Sequence, residues 1–534
     1  MSEATLLPVG TILPYCGDNL YLLDAAWLPC DGSSYAISEY PELSAALGTA
    51  YGSTDPQHFN VPDLRGLFAR GCDNGSGRDA RVNSRSPLMH GGNSGNAVGS
   101  YQEYGTGSPH SPIMAKIPKG NLGKSSEDAG CAAAPGKWNS EDTPISPGVV
   151  TNQRSGDLET RCANVYTNWI IKASTKKVDE RGYTMVPVGA VIAYAGNDPK
   201  SVEAGTWLFC NGDPVAAKGI YKDLAGVLNR AFGAPDKDSF FLPDFRGKFL
   251  RGKDSGAKRD PDVATRKAPI SDPPSGGSSG MSGDAVGSVQ GYATALPQKS
   301  FTFTLQGLPK SDGPKRVAGV AWDLAGGFDG ASVVNCTESG GDKETRPRNM
   351  AVDWFVSRQQ PDGSTPDDRV PVGGVIAVGC QTLPGDNYLL CNGRTVSSEQ
   401  YNELFAAIGM LYGGNPETKV FNLPNYQGVF LRGADHGAKA DPDSASRRFS
   451  HALAEEPAAG TAGSYQDYAT ALPQTPFLAT IAHLPTGTHG AHGVTQSNLC
   501  EVKGDLTLST CGTGGDGESV PANVYVQYFI KTRK

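Results

Sequence analysis

The chain has 534 residues, of which 68 are glycine, 38 are proline and only 19% are charged. This composition excludes a coiled coil, and the 20 tyrosines and 18 phenylalanines argue against a highly charged disordered chain. The net charge of −8 disfavours a nucleic-acid partner, and no apolar run approaches the length of about 18 residues that a membrane span needs. Short strands joined by many turns are expected, in three or four domains of roughly 150 residues each.

The first residues, Met1 to Leu7, contain neither a basic region nor a long apolar run, so no signal peptide is expected. The protein is therefore predicted to be made in the cytoplasm. Its 11 cysteines show no CxxC spacing, which favours reduced thiols over a disulfide framework.

One unit of sequence repeats three times, and this repetition is the strongest signal in the chain. The run FNVPDLRG at 59–66 returns as FFLPDFRG at 240–247 and as FNLPNYQG at 421–428, with equal spacing and no gap. The register continues through Arg70-Gly71, Arg251-Gly252 and Arg432-Gly433, and then through Asp73, Asp254 and Asp435. We place the copies at 1–173, 183–358 and 370–534, with polar linkers at 174–182 and 359–369. A period this long is typical of tandem domains rather than of a solenoid.

The predicted elements of a copy follow a fixed order. An apolar strand, at 9–15 in the first copy, precedes a second strand at 27–32 that runs into a turn. A short helix comes next; in the third copy Ser397 and Gln400 are predicted to form its capping box and Gly409 its stop. The apolar face of this helix is predicted to comprise Tyr401, Leu404, Phe405 and Ile408.

The FxLPDxRG run follows as strand and turn, and behind it each copy has a tract of about 70 residues rich in glycine, serine and proline. This tract is far longer than an ordinary loop, so it is either disordered or ordered only by packing against neighbouring copies. Each copy ends in an apolar run, at 164–171 in the first, that predicts a β-strand.

The front half of each copy closely resembles the phage tail collar domain. In the first copy the resemblance is carried by Pro8-Val9-Gly10, the run 27–32, the helix segment 40–52 and the run 59–66 with Arg70-Gly71. The ends of the copies resemble the C-terminal strand of phage tail-fibre heads, best at 344–349. The resemblance implies a mainly β fold with short helices, built as three tandem tail-collar-like units with loop-rich β head regions.

Members of this family occur in fibres and tail-tip proteins of phages and of phage-like contractile injection particles, usually as homotrimers. Two features depart from that pattern: the first motif begins at Pro8 with no shaft ahead of it, and one chain holds three copies. We expect the single chain to form a pseudo-trimer, since a linker such as 174–182 spans about 30 Å and tethering raises the effective concentration. The alternative is three independent domains on a string.

The distribution of histidines argues against catalysis. Histidines occur in the first and third copies but not in the second, so no histidine-based site can be common to all three. The GxSxG match at 276–280 lies in a glycine- and serine-rich tract, and the GxGxxG match at 512–517 leads into a strand rather than a helix. The protein is predicted not to be an enzyme and to bind no cofactor.

A metal site is considered only at His489 and His492, in the run THGAHG at 488–493. The resemblance implies that such paired histidines can hold a metal on a threefold axis. The matching loops of the other copies offer Lys119 and Lys310 instead, and two imidazoles are too few for a closed site. A solvated loop is therefore the preferred interpretation.

Three recurring sets of residues are interpreted as structural. Cysteines at matched positions are expected in the core: Cys30, Cys210 and Cys391. The aromatic residues of the closing strands are expected in the core rather than against a ligand: Trp169, Trp354 and Tyr528. The arginines of the Arg-Gly pairs are expected to clamp the nearby Asp73, Asp254 and Asp435 or to hold loops by hydrogen bonds.

The sequence thus predicts a non-enzymatic structural or adhesive component of a phage tail or contractile injection particle. It would dock at or around the tail tip or baseplate, against tip, spike or baseplate proteins, and be extracellular after release of the particle. The alternative is a fibre head that binds a host receptor or surface glycan through Tyr101, Tyr104, Tyr465 and Tyr468. A polysaccharide-degrading enzyme would need paired carboxylates in a cleft, and no such pair is identified.

Overall fold

The structure is a computed structural model, and it describes residues 7–17, 20, 26–107, 113–117, 151–152, 160–162, 164–174, 186–196, 207–295, 301–306, 332–335, 339–340, 345–347, 349–358, 370–380, 387–449, 461–471, 478–481, 506–521 and 523–533. It is mainly β with short helices, which confirms the predicted fold class. Across these ranges we find no helix whose length and apolar character would let it cross a membrane.

Each copy begins with two short strands. The first, its opening strand, is Thr11–Tyr15, Val191–Tyr194 or Gly374–Val378. The second, its edge strand, is Trp27–Pro29, Trp207–Phe209 or Tyr388–Leu390. Every residue of the opening strands is buried, which explains why their sequences are apolar without alternation.

A small hairpin and one helix follow the edge strand. The helices are Pro41–Leu47, Lys222–Leu228 and Asn402–Ile408. The hairpins pair Ser34–Ala36 with His58–Asn60, Pro214–Ala216 with Ser239–Phe241, and Thr395–Ser397 with Val420–Asn422, which also pairs with Gly414–Asn415. Single 3-10 turns lie at Val82–Ser84, Gly219–Tyr221, Val263–Thr265 and Ser444–Ser446.

The third-copy helix has the apolar face that its spacing predicts. Leu404 and Ile408 are buried, Tyr401 and Phe405 pack partly buried beside them, and Gly409 ends the helix with a positive φ of 53°. A glycine tolerates this conformation because it has no Cβ.

The predicted capping box is wrong. The residue before the helix is Tyr401, and it makes no side-chain capping bond. Ser397 instead accepts the backbone N–H groups of Glu399 and Gln400, so it closes the turn that leads to the helix.

Three further strands complete the body of each copy. The inner strands are Phe68–Gly71, Phe249–Gly252 and Phe430–Gly433. The flanking strands are Ser100–Gln102, Val289–Gln290 and Tyr465–Gln466. The closing strands are Asn164–Lys172, Asn349–Ser357 and Asn523–Lys531. Ser86–Pro87 adds a short strand beside the first flanking strand.

The closing strands join the copies in a cycle. Within its own copy, each closing strand pairs antiparallel with the opening and edge strands. Its first half continues into the next copy, where it pairs in parallel with the inner strand and antiparallel with the flanking strand. The first copy thus pairs with the second, the second with the third, and the third with the first. These pairings form a closed ring of strands.

The opening strands also meet one another. Ile12 lies opposite Ala377, Ala193 lies opposite Val375, and Tyr15 forms a bridge with Ala190. One hydrophobic cluster draws equivalent residues from all three copies, among them Leu13, Ile192, Ile376, Ile170, Phe355 and Phe529. A smaller cluster brings together the first residues of the inner strands, Phe68, Phe249 and Phe430.

The second residue of each Arg-Gly pair must be glycine because a neighbouring copy passes against it. A Cβ atom on Gly252 would lie 1.8 Å from the Leu64 carbonyl oxygen. The same clash would occur at Gly433 with Phe245 at 1.8 Å, and at Gly71 with Tyr426 at 2.0 Å. The close approach of backbones explains why this glycine recurs in every copy.

Parts of the glycine- and serine-rich tracts form sheets shared among the copies. One sheet takes a strand from each copy: Thr151–Asn152, Leu478–Ile481 and Ser332–Asn335. In another, Leu506–Val520 pairs with Gly105–Gly107, Ile113–Ile117 and Phe301–Gln306, and Ser339–Gly340 joins its edge. These sheets are thus formed between copies, whereas Ser278 and Met281 of the second copy's tract bond to Ala234 and Ala231 of the same copy.

Candidate functional site

At each junction between copies, a cluster of buried polar side chains surrounds the start of the closing strand. The third–first junction contains Arg70, Asp79, Arg85, Gln102, Asn523 and Tyr525. The first–second junction has Arg251, Asp260, Arg266, Gln290, Asn164 and Tyr166 at the equivalent positions. The second–third junction has Arg432, Asp441, Arg447, Gln466 and Asn349. We call these three groups the junction clusters.

Arg70 connects the first copy to the third. Its Nε donates to the Gly428 carbonyl oxygen at 3.0 Å, and its Nη1 donates to Gln102 Oε1 at 3.1 Å. The guanidinium pairs with Asp79 at 3.3 Å and lies 5.3 Å from the Phe430 ring centroid. The side chain is fully buried, so these contacts replace its hydration and hold it charged at the junction.

Asp79 is the central carboxylate of this cluster. It pairs with Arg85 at 3.2 Å, accepts a hydrogen bond from Gln102 Nε2 at 3.1 Å and accepts another from the Tyr525 hydroxyl. Burial raises the pKa of Asp79, but the charges of Arg70 and Arg85 and the Tyr525 hydroxyl outweigh it and bring the pKa to about 2. The carboxylate therefore stays ionised well into the acid range.

Arg85 holds the closing strand of the third copy. Its Nη1 donates to Asn523 Oδ1 at 2.9 Å, its Nε donates to Ser100 Oγ at 2.9 Å, and its guanidinium carbon lies 3.4 Å from the Tyr525 ring centroid. Burial lowers the pKa of Arg85 to about 10, which leaves the side chain charged at neutral pH.

The first–second junction repeats this arrangement. Arg266 donates to Asn164 Oδ1 at 2.9 Å and lies 3.3 Å from the Tyr166 ring centroid. The Tyr166 hydroxyl donates to Asp260, which pairs with Arg266 at 3.1 Å. Two junctions thus share the same arginine, tyrosine, asparagine and aspartate geometry.

The second–third junction keeps the ion pair and the asparagine but differs at two positions. Arg447 pairs with Asp441 at 2.9 Å and donates to Asn349 Oδ1 at 2.7 Å. The residue in register with Arg432 is Ala351, where the other two closing strands have tyrosine. His436 adds a contact of a different kind: its Nε2 lies 2.6 Å from Asp353 Oδ1.

The predicted clamp between Arg70 and Asp73 needs correction, because the ion pair of Arg70 is made with Asp79, six residues further on. Asp73 instead accepts backbone N–H groups from Gly77 and Arg78 and so holds the turn that follows it. Asp254 and Asp435 accept equivalent backbone N–H groups in the other copies. The alternative prediction, hydrogen bonding of a loop, is right for these aspartates.

Sequence reasoning missed the second arginine and the aspartate of each cluster. A signal was present, because Asp79 and Arg85 recur in register as Asp260 with Arg266 and as Asp441 with Arg447. Charged residues that return at fixed positions in a glycine-rich tract indicate fixed partners. The partner asparagines also recur, as the first residue of each closing strand.

The tyrosines proposed as receptor contacts fall into two groups. Tyr101 lies opposite Val524 of the third copy and packs half-buried against the core, and burial raises its pKa to about 12. Tyr465 has the equivalent place and packs likewise. Tyr104 and Tyr468 lie three residues further on and are half-buried. His489 and His492 lie outside the described residues.

The residues predicted to be core are confirmed as such. Cys30, Cys210 and Cys391 are buried with no more than 3% exposure, and Trp169, Trp354 and Tyr528 with no more than 7%. The cysteines that the structure describes are free thiols. Among the described residues there is also no group of three or more His, Cys, Asp or Glu side chains that could hold a metal ion.

The chemistry of the junction clusters is that of a clamp. Arg70, Asp79 and Arg85 have no exposed side-chain surface, and their polar atoms bond to each other, to the backbone and to neighbouring polar side chains. A charge-assisted network of this kind fixes geometry strongly, since loss of one member leaves a buried charge unpaired.

Comparison with known proteins agrees with this architecture. Residues 10–69, 189–250 and 373–431 match the family Phage Tail Collar Domain, and each match runs from the opening strand to the inner strand of one copy. Protein RhiB of Rhizobium leguminosarum bv. viciae is 34% identical over 155 residues, which are 28% of this chain and 66% of that protein.

Two further relatives match over shorter stretches. The short tail fiber protein gp12 of Enterobacteria phage T4 is 39% identical over 70 residues, 13% of either chain. The protein StfE of Escherichia coli (strain K12) is 37% identical over 79 residues, 15% of this chain and 38% of that one. The chain thus spans less than two thirds of the length of each of these relatives. The chain thus contains three regions that match the phage tail collar domain, one at the front of each copy.

Proposed function

We propose that the chain is a structural and adhesive component of a phage tail or of a phage-like contractile injection particle, where it docks at or around the tail tip or baseplate. The three collar domains and the similarity to a protein named as a short tail fiber support a role in a tail. The proposed role is non-enzymatic, carried by shape and by rigid strand pairing.

The observation that carries the proposal is the closed cycle of closing strands. Three similar copies joined in this way have the arrangement of a trimer within one chain, and a partner with threefold symmetry would meet an equivalent surface on each copy. A spike, tip or baseplate ring is such a partner. The chain would stand in the particle where three separate collar-domain chains otherwise assemble.

Labelled electron microscopy of the parent particle tests the location. The label is expected at the tail end, and particles that lack their tip or baseplate components are expected to lose the protein on purification. A protein that co-purifies with particles after those components are deleted contradicts the docking proposal. Release of reducing sugar from envelope material by the purified protein would contradict the non-enzymatic role.

A second candidate function is binding of a host receptor or surface glycan. Tyr104, Tyr292 and Tyr468 occupy equivalent positions and are half-buried, so an aromatic ring recurs on all three copies. Aromatic side chains with one accessible side are common contacts for ligands. This function predicts that binding to whole host cells is lost when Tyr104, Tyr292 and Tyr468 are all replaced by alanine, with Tyr35→Ala as the control.

A further inference from the structure

We propose that the second–third junction is the pH-dependent seam of the ring: it opens before the other two junctions, and the charge on His436 sets how readily it opens. The inference concerns the body of the protein and does not rest on the proposed function.

The residue in register with the inner-strand arginine differs at the second–third junction. At the other two junctions this residue is a tyrosine, Tyr166 or Tyr525, whose hydroxyl bonds the central aspartate and whose ring covers the second arginine. At the second–third junction it is Ala351, which has neither a ring nor a hydroxyl. Arg447 is correspondingly 8% exposed, against 3% for its counterparts. From this position of the closing strand, alanine can supply neither the hydrogen bond to the aspartate nor the cation–π contact that tyrosine supplies at the other two junctions.

A histidine and an aspartate form an ion pair across this junction. His436 of the third copy lies 2.6 Å from Asp353, whose side chain is fully buried in the closing strand of the second copy. The imidazole also stacks edge-on against Phe209 of the second copy, with ring centroids 5.3 Å apart. At the third–first junction the equivalent contact is a neutral hydrogen bond of 3.0 Å from Asn74 to Gln527. A contact that can change its charge is thus present at one junction and absent at its counterpart.

The charged groups around His436 determine the direction of the pH effect. Burial lowers the pKa of His436, but the hydrogen bond and charge of Asp353 outweigh it, and the pKa lies above the ordinary value for histidine. Arg246 of the second copy acts against protonation, and the adjacent Asp435 favours it. Since the pKa is raised by folding, the stabilisation is complete below the pKa of an unfolded histidine and is lost as the pH rises through the folded value. The second–third junction is therefore more stable in mild acid and less stable in mild alkali.

Hydrogen exchange at the three closing strands provides an internally controlled test. Amides of residues 349–352 are compared with the equivalent amides 164–167 and 523–526 at about pH 5 and about pH 8.5, on either side of the range where histidine titrates. We expect the amides of 349–352 to exchange fastest. The ratio of their exchange rate to the rates of the other two segments should rise several-fold at the higher pH. A ratio that does not change with pH, or equal exchange of all three segments at both pH values, would overturn the proposal.

Three variants separate the contribution of His436 from that of Ala351. His436→Asn places the first copy's residue in the third copy, and it is expected to remove the change of ratio with pH while the fold is kept. Asp353→Asn places in the second copy the residue that the first copy has at Asn168, and it is expected to have the same effect. It serves as the test if His436→Asn does not fold. Ala351→Tyr is expected to slow exchange of 349–352 at both pH values and to leave the pH effect in place. A pH effect that persists in both asparagine variants refutes the role of His436.

Discussion

Arg70 in the first copy donates a hydrogen bond from its Nε to the carbonyl oxygen of Gly428 in the third copy, over 3.0 Å. The equivalent bonds run from Arg251 to Gly66 and from Arg432 to Gly247, at 2.9 and 2.8 Å. The contact between the first and third copies, which no linker joins directly, is thus built like the two contacts between consecutive copies.

Replacement of Arg70 is expected to open the ring. Arg70→Met should lower the free energy of unfolding by about 3–5 kcal/mol, because it leaves the buried Asp79 with one cation fewer. Urea unfolding followed by tryptophan fluorescence measures the loss. Arg246→Gln is the matched control: Arg246 and its partner Asp244 are partly exposed, at 27% and 34%, the third copy has Gln427 at this position, and a change below about 1 kcal/mol is expected. Equal effects of the two substitutions would show that the buried arginine has no special role.

The close approach at Gly252 predicts a large effect from a single methyl group. Gly252→Ala places a Cβ atom 1.8 Å from a backbone oxygen, which only a shift of two strands can relieve, and a loss of about 3 kcal/mol or more is expected. Gly226→Ala, in an exposed helical position with open space around it, should instead gain up to about 1 kcal/mol. Thermal melts check the expected loss of stability in Gly252→Ala and the expected gain in Gly226→Ala. A Gly252→Ala variant as stable as the parent would contradict the described packing.

Acid is expected to weaken the ring between about pH 4 and pH 2. The pKa of Asp79 is held at about 2 against an ordinary value of 3.8, and the pKa values of Asp260 and Asp441 are also lowered. The stabilisation is present above the unfolded value and is lost as the pH falls through the folded one. The urea midpoint should therefore fall steeply in this window. Asp79→Asn should be less stable at neutral pH and show a shallower acid decline; an unchanged acid profile would exclude Asp79 as a source.

The cyclic pairing predicts that the order of copies can be rotated. A circular permutant that starts at residue 183, joins residue 534 to residue 1 through a second copy of 359–369, and ends at residue 173 should fold with the parent's cooperativity. Single copies produced alone should not, because each inner strand loses the closing strand that lies on it. Circular dichroism and urea unfolding compare these proteins. Three stably folded single copies would contradict the ring and favour independent domains.

Local features of the fold were predictable from the sequence because they depend on neighbours in the chain. The apolar face of the helix at Leu404 and Ile408 follows from spacing, and the burial of Cys30 and Trp169 follows from their place in apolar runs. The capping box was wrong because Ser397 has the right spacing for a turn as well as for a cap.

The junction clusters were only partly predictable, because their partners come from another copy. Nothing in the spacing around Arg70 indicates that it pairs with Asp79 rather than Asp73, since the choice depends on where the third copy's strand lies. Tyr101 was expected at the surface for a similar reason. Its polar, glycine-rich surroundings do not reveal that Val524 lies opposite it.

A single chain whose three copies differ in sequence can change one copy alone, which three identical chains cannot do. In an assembly of identical subunits, every substitution appears three times and must be tolerated at every contact. Here the residues equivalent to Ala351 and His436 differ in the other copies. A single substitution at either position therefore alters the second–third junction and leaves the other two junctions as they were. Three copies within one chain thereby allow the junctions to differ from one another although their strand pairing is the same.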